Sequence, residues 1–374
     1  MSSKKIPVVV VGAGIIGITT AIVLQKSGKY KVVVVSENIA LNEKDLKKTN
    51  WASPFAGANW HAFAADDDFF LQKMEKDTLR ELKKIADESP ESGIKKTFCW
   101  EMTSSAQYKE PWYMRSLEGT RYLPRDNIAV GCDLGVEFST VIINAPHYLK
   151  WMTRQFITNG GIIHRAKLDS LAEAADFAAG HLNHHQLPII INCAALGNLY
   201  FSDVNDTKLH PIRGQVVLVN APEVKLTITN TPAWKYVIPR GDGSVVIGGT
   251  YQKDNWSTAV DHHTTHEILR ETVKFCPELA GETTPTTHEN FSRRVKILES
   301  RIIKVNVGFR PYRDGGPRIE PSFVLNPATK KMIPVIHNYG HGGFGYQTSW
   351  AFAREAKRLA DAVYFTAVSS NSKL

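Results

Sequence analysis

Three glycines after a run of valines predict a site for a dinucleotide. Gly12, Gly14 and Gly17 follow residues 8–11 with the spacing GxGxxG, and Glu37 lies about 20 residues beyond them. In this pattern the first glycine makes the turn, the second lets a pyrophosphate reach a helix N-terminus, and the third lets that helix pack on the strand. A carboxylate at Glu37 would bind a ribose hydroxyl. The motif alone does not distinguish NAD from FAD.

A second glycine cluster lies near the C-terminus, in the segment NYGHGGFGYQ (residues 338–347). It has four glycines within six residues, after an apolar run and before a segment with helical spacing. Glycine is favoured where φ is positive or where the backbone is pressed against a bulky group. A tight turn between a strand and a helix explains the cluster, and so does a ligand close to the backbone.

The segments around these glycines predict the elements that must position them. Residues 6–37 have the pattern of a strand, a glycine turn, a helix and a second strand. A further apolar run, LPIIINCAALG (residues 187–197), predicts a strand that ends in small residues, where either a ligand approaches or the turn is close-packed. NAD sites are mostly formed by one contiguous half of a chain. A site built from both ends of this chain therefore favours FAD.

Composition and charge limit the classes of protein. The chain has 374 residues, of which 43% are hydrophobic, which suits two domains or one large α/β body. Lys and Arg exceed Asp and Glu by 45 − 37 = 8, but basic and acidic residues alternate, as in KMEKDTLRELKK, so no nucleic-acid partner is expected. No apolar run approaches the ~20 residues that a membrane span needs. We expect a soluble, intracellular protein.

The cysteines argue against a metal site and against a disulfide framework. Cys99, Cys132, Cys193 and Cys276 are far apart and form no CxxC pair. No metal is therefore expected. The chain also has no HExxH motif and no Ser-His-Asp order with supporting context, so no residue is expected to act as a catalytic acid or base.

Seven segments in order along the chain carry a family resemblance. They are VVVVGAGIIG, WASPFAGANW, HPIRGQVVLV, YVIPR with VVIGGTYQKDNW, VGFRPYRDGGPRIE, HNYGHGGFGYQ and the terminal SKL. In these segments the chain resembles the FAD-dependent D-amino-acid oxidases, with their D-aspartate oxidase branch, and its fungal members in particular. The resemblance implies an α/β fold with a glutathione-reductase-like FAD-binding domain and a mostly antiparallel β substrate domain.

The resemblance also implies how the chain is divided. The FAD-binding domain would be discontinuous and comprise residues 1–60, 140–200 and 305–365. The substrate-binding domain would comprise residues 61–139 and 201–304, and residues 366–374 would form a flexible targeting tail.

The FAD contacts implied by the resemblance come from five parts of the chain. They are Gly12, Ala13, Gly14, Ile15, Ile16, Gly17, Ser36, Glu37, Ser53, Gly57, Ala58, Asn59, Cys193, Ala194, Gly197, Gly342, Gly343, Phe344, Gly345, Tyr346 and Gln347. The family often has Thr-Gly or Ser-Gly where this chain has Ala194 and Ala195. A helix that begins near residue 345 would direct its positive end at N1 and the C2 carbonyl of the reduced flavin.

Five residues are expected to contact the substrate. Arg310 lies between an apolar strand and a proline, and it matches the family's arginine for the substrate carboxylate, where a bidentate pair would form. Tyr251 and Tyr236 match the tyrosines that flank the substrate. Gln347 matches a position near the substrate amine in fungal members. His61 follows GANW in a loop expected to border the active site.

The reaction implied is the oxidation of D-amino acids by hydride transfer from Cα to flavin N5. Its small-molecule partners would be the D-amino acid and oxygen, and its products a 2-oxo acid, ammonia and hydrogen peroxide. The protein would contribute mainly by positioning the substrate. Tyr251 replaces the arginine of vertebrate D-aspartate oxidases, which favours neutral substrates, whereas a charged His61 would favour D-aspartate.

Two further alternatives remain open. One is another flavin enzyme, such as a glycine or sarcosine oxidase or a D-amino-acid dehydrogenase. The other is a module of this fold that senses a nucleotide without turnover. The oligomeric state is also open, with a homodimer as one option.

The last three residues match an organelle address. Ser372, Lys373 and Leu374 form SKL, which a peroxisomal import receptor binds. A disordered polar terminus is the plainer explanation of these residues, but a product as reactive as peroxide suits the peroxisomal matrix.

Overall fold

In the computed structural model, the described part of the chain comprises residues 5–179 and 187–371 and folds as seven α-helices and fifteen strands. The helices are Ile15–Lys26 (α1), Phe69–Glu88 (α2), Ala145–Thr158 (α3), Ala174–Ala179 (α4), His262–Phe275 (α5), His288–Ser300 (α6) and Gly345–Asn371 (α7). The strands are Ile6–Val11 (β1), Tyr30–Ser36 (β2), Ile94–Thr103 (β3), Arg121–Tyr122 (β4), Leu134–Ile143 (β5), Ile162–Arg165 (β6), Ile189–Asn192 (β7), Leu209–Asn220 (β8), Thr227–Asn230 (β9), Lys235–Pro239 (β10), Ser244–Gly248 (β11), Gln252–Lys253 (β12), Ile302–Arg313 (β13), Arg318–Leu325 (β14) and Met332–Tyr339 (β15). The mixed α/β class expected from the sequence is confirmed.

The first of two structural units contains Met1–Pro54, Leu149–Ile212 and Arg310–Leu374. Its sheet has the strand order β14-β15-β7-β1-β2-β6, and every pair is parallel except β14 with β15. All six residues of β1 are buried, as is typical of a parallel strand covered on both faces. Since β1, β7 and β15 are parallel neighbours, the turns that follow them lie at one edge of the sheet.

The second unit contains Phe55–Tyr148 and Arg213–Phe309. Its strands belong to a sheet of order β12-β8-β11-β10-β9-β3-β5-β4, with β13 beside β8, and its described pairs are antiparallel except β3 with β9. One face of this sheet packs Val237 and Ile247 against Leu269 of α5 and Leu298 of α6.

The opposite face of that sheet carries polar side chains in one row. Glu101 of β3 pairs with Thr229 of β9, which pairs with Tyr236 of β10, which pairs with Gly248 of β11. Because directly paired residues point to the same face, the Glu101 carboxylate and the Tyr236 phenol share one side of the sheet.

The unit boundaries differ from those expected from the sequence. Residues 55–60, 140–148 and 305–309 belong to the second unit, although the sequence placed them in the FAD-binding domain. The reason is strand pairing: Ala58 exchanges two backbone hydrogen bonds with Ile143 (3.0 and 2.8 Å), and Trp60 N–H donates to Val141 O (3.0 Å). Residues 201–212 belong instead to the first unit, where Asp203 accepts the N–H of Leu171 (2.9 Å).

The C-terminal helix is longer than expected. It continues to Asn371 and so includes residues 366–371, which the sequence assigned to a flexible tail. Residues 346–371 contain neither Gly nor Pro, so nothing in this segment ends the helix. Ser372, Lys373 and Leu374 lie outside the described residues.

Candidate active site

The turn after β1 is closed by direct contacts between backbones. Gly12 has φ +103°, and a methyl group placed on it would lie 2.5 Å from the carbonyl oxygen of Cys193. A methyl group on Gly17 would lie 1.9 Å from the carbonyl oxygen of Gly12. The first and third glycines of the motif therefore have no room for a side chain, and α1 can begin immediately above the ends of β1 and β7.

Two serines hold the amides of this turn. Ser36, at the end of β2, accepts the N–H of Ala13 at its Oγ (3.1 Å), and Ser53 accepts the N–H of Ile15 in the same way (3.0 Å). The Tyr346 hydroxyl donates to the Ser53 carbonyl oxygen (2.9 Å). These predicted cofactor residues are thus brought together in the first unit.

Glu37 follows β2 with its side chain exposed. Its Oε1 accepts a hydrogen bond from Asn50 (3.3 Å), and its backbone carbonyl accepts one from Arg165 (2.7 Å). The carboxylate is therefore oriented at the edge of the sheet, where a ribose hydroxyl can reach it.

The N-termini of α1 and α7 lie next to each other. A methyl group on Gly345, the first residue of α7, would lie 3.6 Å from Ile15 Cγ2 and 3.8 Å from Ile16 Cδ1. The N-terminus of a helix carries a partial positive charge and N–H groups without partners inside the helix. Two such ends side by side favour a negatively charged ligand.

Part of the C-terminal glycine cluster is required by packing within the chain. Gly342 has φ +52°, and a methyl group on it would lie 2.9 Å from Tyr312 Cδ2. Its N–H donates to the Pro311 carbonyl (2.8 Å). Gly340 lies equally close to the end of β13, where its added methyl group would be 2.8 Å from Arg313 Cβ. The tight-turn explanation is therefore sufficient for Gly340 and Gly342.

Gly343 lies against the side chain of Arg310. A methyl group on Gly343 would be 3.4 Å from Arg310 Cδ and 3.8 Å from its Nε. Phe344, which follows it, is buried, and its N–H donates to the His341 carbonyl (3.0 Å). The structure thus brings the expected carboxylate-binding arginine next to the glycines that precede α7.

His341 is a residue of this loop that the sequence did not indicate. It is buried, and burial lowers its pKa to about 3, so the imidazole is neutral at physiological pH. One ring nitrogen is 3.1 Å from Asn338 Oδ1, and the ring packs edge-on against Phe352. Its position between two glycines was the sequence feature that could have indicated a role for this histidine in the loop. Its role here is to fix the loop.

The turn after β7 meets the turn after β1. Cys193 N–H donates to the Val11 carbonyl (2.9 Å), and Gly197 N–H donates to the Ala194 carbonyl (2.9 Å). Burial raises the pKa of the Cys193 thiol to about 12, so this cysteine remains protonated. It contributes backbone to the site and is no nucleophile.

The remaining predicted residues divide between the two units. Gln347, in the first turn of α7, is buried in the first unit. Gly57 and Asn59 belong to the second unit, where a methyl group on Gly57 would lie 2.6 Å from Ile238 Cδ1 and where Asn59 donates to Thr227 Oγ1 (3.4 Å).

Both predicted tyrosines also lie in the second unit. Methyl groups on Gly248 and on Gly249 would lie 2.7 Å from the Tyr236 hydroxyl oxygen. The Tyr236 ring therefore lies over these two glycines. Tyr251, a few residues further, is 55% exposed.

His61 is paired with a carboxylate that the sequence did not single out. Its Nε2 is 3.1 Å from Glu101 Oε2, and the Tyr113 hydroxyl donates to the same oxygen. Burial favours neutral His61, but the Glu101 charge outweighs it and raises the pKa of His61. Burial likewise opposes ionisation of Glu101, yet His61 and hydrogen bonds from Tyr113 and Thr231 lower its pKa. The positive charge of His61 is thus compensated inside the second unit.

Within residues 5–179 and 187–371, no group of three or more His, Cys, Asp or Glu side chains is placed to hold a metal ion. In the same part of the chain, no helix combines the length and the apolar composition of a membrane span.

Comparison with known proteins identifies the family. The sequence model described as FAD dependent oxidoreductase matches residues 7–359. A D-amino-acid oxidase of Fusarium vanettenii is 32% identical over 95% of this chain and 97% of its own length. A D-aspartate oxidase of Cryptococcus neoformans var. grubii is also 32% identical, over 94% of this chain and 96% of its own length. The chain belongs to the FAD-dependent oxidoreductase family, which confirms the resemblance seen in its motifs.

Solved structures show the same fold at low sequence identity. A glycine oxidase from Bacillus cereus superposes with a TM-score of 0.71, at 15% identity, over 96% of this chain and 98% of that one. An L-proline dehydrogenase from P. horikoshii gives a TM-score of 0.65 at 14% identity, over 94% of this chain and 91% of that one. At such identity these likenesses establish the fold alone.

The closed turn predicts different effects for two glycine substitutions. Gly12→Ala and Gly28→Ala both place alanine at positive φ, but a methyl group at Gly28 has no atom within 4 Å. Gly28→Ala should therefore lower the free energy of unfolding by about 1 to 2 kcal/mol and leave FAD binding unchanged. Gly12→Ala should lower the free energy of unfolding by more than this and abolish FAD binding, because its methyl group displaces the Cys193 backbone. Urea unfolding and quenching of added FAD fluorescence measure both effects. Equal behaviour of the two variants would contradict the account of the turn.

Proposed function

We propose that this protein is an FAD-dependent D-amino-acid oxidase, which converts D-amino acids to 2-oxo acids, ammonia and hydrogen peroxide. The observation that carries the proposal is the closed glycine turn flanked by the N-termini of α1 and α7, in a chain of this family. Relatives named D-amino-acid oxidase that match almost the whole chain support the substrate class.

The residues of the first unit fit FAD. The adjacent N-termini of α1 and α7 offer amides and partial positive charge to a pyrophosphate and to the electron-rich edge of a flavin. A methyl group on Gly14 would be 3.1 Å from Ser53 Oγ, so it would crowd the hydroxyl that accepts the Ile15 N–H. Glu37 supplies a carboxylate for a ribose hydroxyl. Together these groups match the charge distribution of a dinucleotide that carries a flavin.

Bound FAD would supply the acceptor for the hydride from the substrate Cα, and oxygen would take up the electrons. The chain's own contribution is binding and orientation. Arg310 would hold the substrate carboxylate in a bidentate pair, and Gly343 leaves space for the methylene groups of that arginine. Tyr236 and Tyr251 match the tyrosines that flank the substrate in the family.

No side chain is required to transfer a proton in the hydride step. The substrate reacts with its amine neutral, loses hydride from Cα, releases a proton from nitrogen to water, and becomes an imino acid. Water then hydrolyses the imino acid and releases ammonia. The buried groups near the glycine turns are unsuited to acid or base chemistry, because Cys193 stays protonated and His341 stays neutral. Positioning therefore accounts for the catalytic contribution of the chain.

Removal of the Arg310 guanidinium tests this function. Arg310→Ala should retain FAD, while kcat/KM for D-alanine, followed as oxygen consumption, should fall by at least ~30-fold, because a lost charge partner costs about 2 to 5 kcal/mol. Arg358→Ala, which removes an exposed ion pair with Glu355, is the matched control and should match the wild type. Oxygen uptake by Arg310→Ala within a few-fold of the wild type would show that Arg310 does not bind the carboxylate.

Neutral D-amino acids are the proposed substrates, and D-aspartate is the second candidate. The D-aspartate oxidases among the relatives and the raised pKa of His61 favour the second. However, Glu101 compensates the charge of His61, so a substrate side-chain carboxylate meets no net positive charge from this pair. Tyr251 occupies the position of an arginine in vertebrate D-aspartate oxidases, which also supports neutral D-amino acids as substrates.

Replacement of Glu101 separates these candidates. Glu101→Gln removes the carboxylate that most strongly opposes the effect of burial on His61, so the pKa of His61 should fall below its ordinary ~6.5. At pH values below the pKa of His61 in this variant, an uncompensated imidazolium would attract D-aspartate. A charged hydrogen bond of ~1.5 to 3 kcal/mol would then raise kcat/KM for D-aspartate relative to D-alanine by at least tenfold. The wild type should prefer D-alanine at every pH.

Tyr113→Phe is the matched control, because it removes one hydrogen bond to Glu101 and keeps the ion pair. Its substrate ratio should equal that of the wild type between pH 5.5 and 8. A Glu101→Gln ratio that does not change with pH would remove His61 from substrate recognition. A wild-type preference for D-aspartate would favour the second candidate.

We also propose import into the peroxisomal matrix through Ser372, Lys373 and Leu374. The match of these residues to a receptor-bound address and the production of peroxide support it. Deletion of residues 372–374 should change an N-terminal fluorescent fusion from punctate to diffuse and leave activity unchanged. Asn371→Ala should remain punctate. Punctate fluorescence of the truncated protein would contradict the proposal.

A further inference from the structure

The turn after β7 contains an alanine in an unfavourable conformation. Ala195 has φ +52°, in the left-handed region that glycine adopts without strain and alanine avoids. Some other interaction must therefore hold the backbone of this turn.

Two buried asparagines hold it. The Asn198 side-chain amide donates to the Ala195 carbonyl (2.9 Å), and its Oδ1 accepts a hydrogen bond from Asn192 Nδ2 (2.5 Å). Asn192 Oδ1 in turn accepts the N–H of Ala194 (3.1 Å). Both asparagines are 0% exposed, so water does not compete for these hydrogen bonds.

His337 completes the network from the neighbouring strand. Asn192 of β7 pairs with His337 of β15 in the sheet, and Asn192 Nδ2 lies 3.0 Å from His337 Nδ1. For Nδ1 to accept this hydrogen bond the imidazole must be neutral. Burial, with the nearby Arg318 guanidinium, lowers the pKa of His337 to about 4, which keeps it neutral at physiological pH. Each polar atom of the Asn192 amide thus has a partner.

The turn held in this way is one wall of the glycine turn after β1. The Cys193 carbonyl oxygen would be 2.5 Å from a methyl group on Gly12, and Cys193 Cβ would be 3.3 Å from one on Gly17. A shift of the Cys193–Ala195 backbone would therefore displace or loosen the segment from which α1 begins.

We propose that Asn192 and Asn198 are positioning residues for FAD, which hold the turn after β7 in the left-handed conformation that Ala195 does not favour by itself. The inference rests on the proposed function in that FAD is the cofactor. It assigns to two internal amides the role that a glycine at position 195 would otherwise fill.

The test combines substitutions at both ends of this interaction. The variants are Asn198→Ala, Ala195→Gly and the double variant, each prepared as apoprotein. The readouts are the FAD dissociation constant, from quenching of FAD fluorescence, and the urea midpoint of the apoprotein. Asn198→Ala should weaken FAD binding by about tenfold, as expected for one lost buried hydrogen bond and a strained turn. Ala195→Gly should bind FAD at least as tightly as the wild type.

The double variant distinguishes positioning from general stability. With glycine at position 195 the turn keeps its conformation without help, so Asn198→Ala should weaken FAD binding by less than threefold in that background. Asn326→Ala is the matched control, because Asn326 is a buried asparagine whose Oδ1 accepts the N–H groups of Ala328 and Thr329 (both 3.0 Å) in the β14–β15 turn. It should lower the urea midpoint and leave FAD binding unchanged.

Equal weakening of FAD binding by Asn198→Ala in both backgrounds would overturn the proposal. A lower urea midpoint of Asn198→Ala with unchanged FAD affinity would also overturn it. If Asn198→Ala does not fold, Asn198→Ser, which keeps a polar group but cannot reach the Ala195 carbonyl, replaces it with the same expectations. A wild-type apoprotein that does not bind FAD would contradict the proposed function itself, which separates that failure from failure of the positioning role.

Discussion

The candidate site depends on the contact between two backbone turns at one edge of a parallel sheet. Gly12 follows β1, Cys193 follows β7, and no side-chain atom fits between Gly12 and the Cys193 carbonyl. Because Gly17 lies equally close to Gly12, α1 begins directly above this contact. The glycine at the start of α7 then brings a second helix N-terminus alongside. The concentration of amides and partial positive charge at this edge follows from that one close approach.

The turns at this edge are fixed by hydrogen bonds. Two serines hold the amides of Ala13 and Ile15, and the buried His341 and Cys193 stay neutral. Such a site is suited to hold a cofactor and a substrate in one geometry. A hydride transfer to a flavin has this requirement, because it needs alignment more than it needs an acid or a base. The ion pair of His61 with Glu101, among the predicted substrate residues and their neighbours, compensates its own charge.

The local elements of the site could be predicted from the sequence, whereas its internal polar network could not. The valine run, the glycine spacing and the helical periodicity indicated β1, α1 and β2, and the C-terminal glycines indicated the start of α7. By contrast, the hydrogen bond between Asn192 and His337 joins residues 145 positions apart, and it exists only because β7 pairs with β15. The boundary near residue 55 was displaced because Ala58 pairs with Ile143, which no local pattern indicates.

The central claim is that FAD at this edge accepts a hydride from D-amino acids. Anaerobic absorption spectroscopy of the purified protein tests it most directly, because it observes the flavin before oxygen reacts. The account predicts a yellow protein whose flavin absorption is bleached by D-alanine, is unchanged by L-alanine, and returns when oxygen is admitted. A preparation without flavin, or equal bleaching by the two enantiomers, would contradict it.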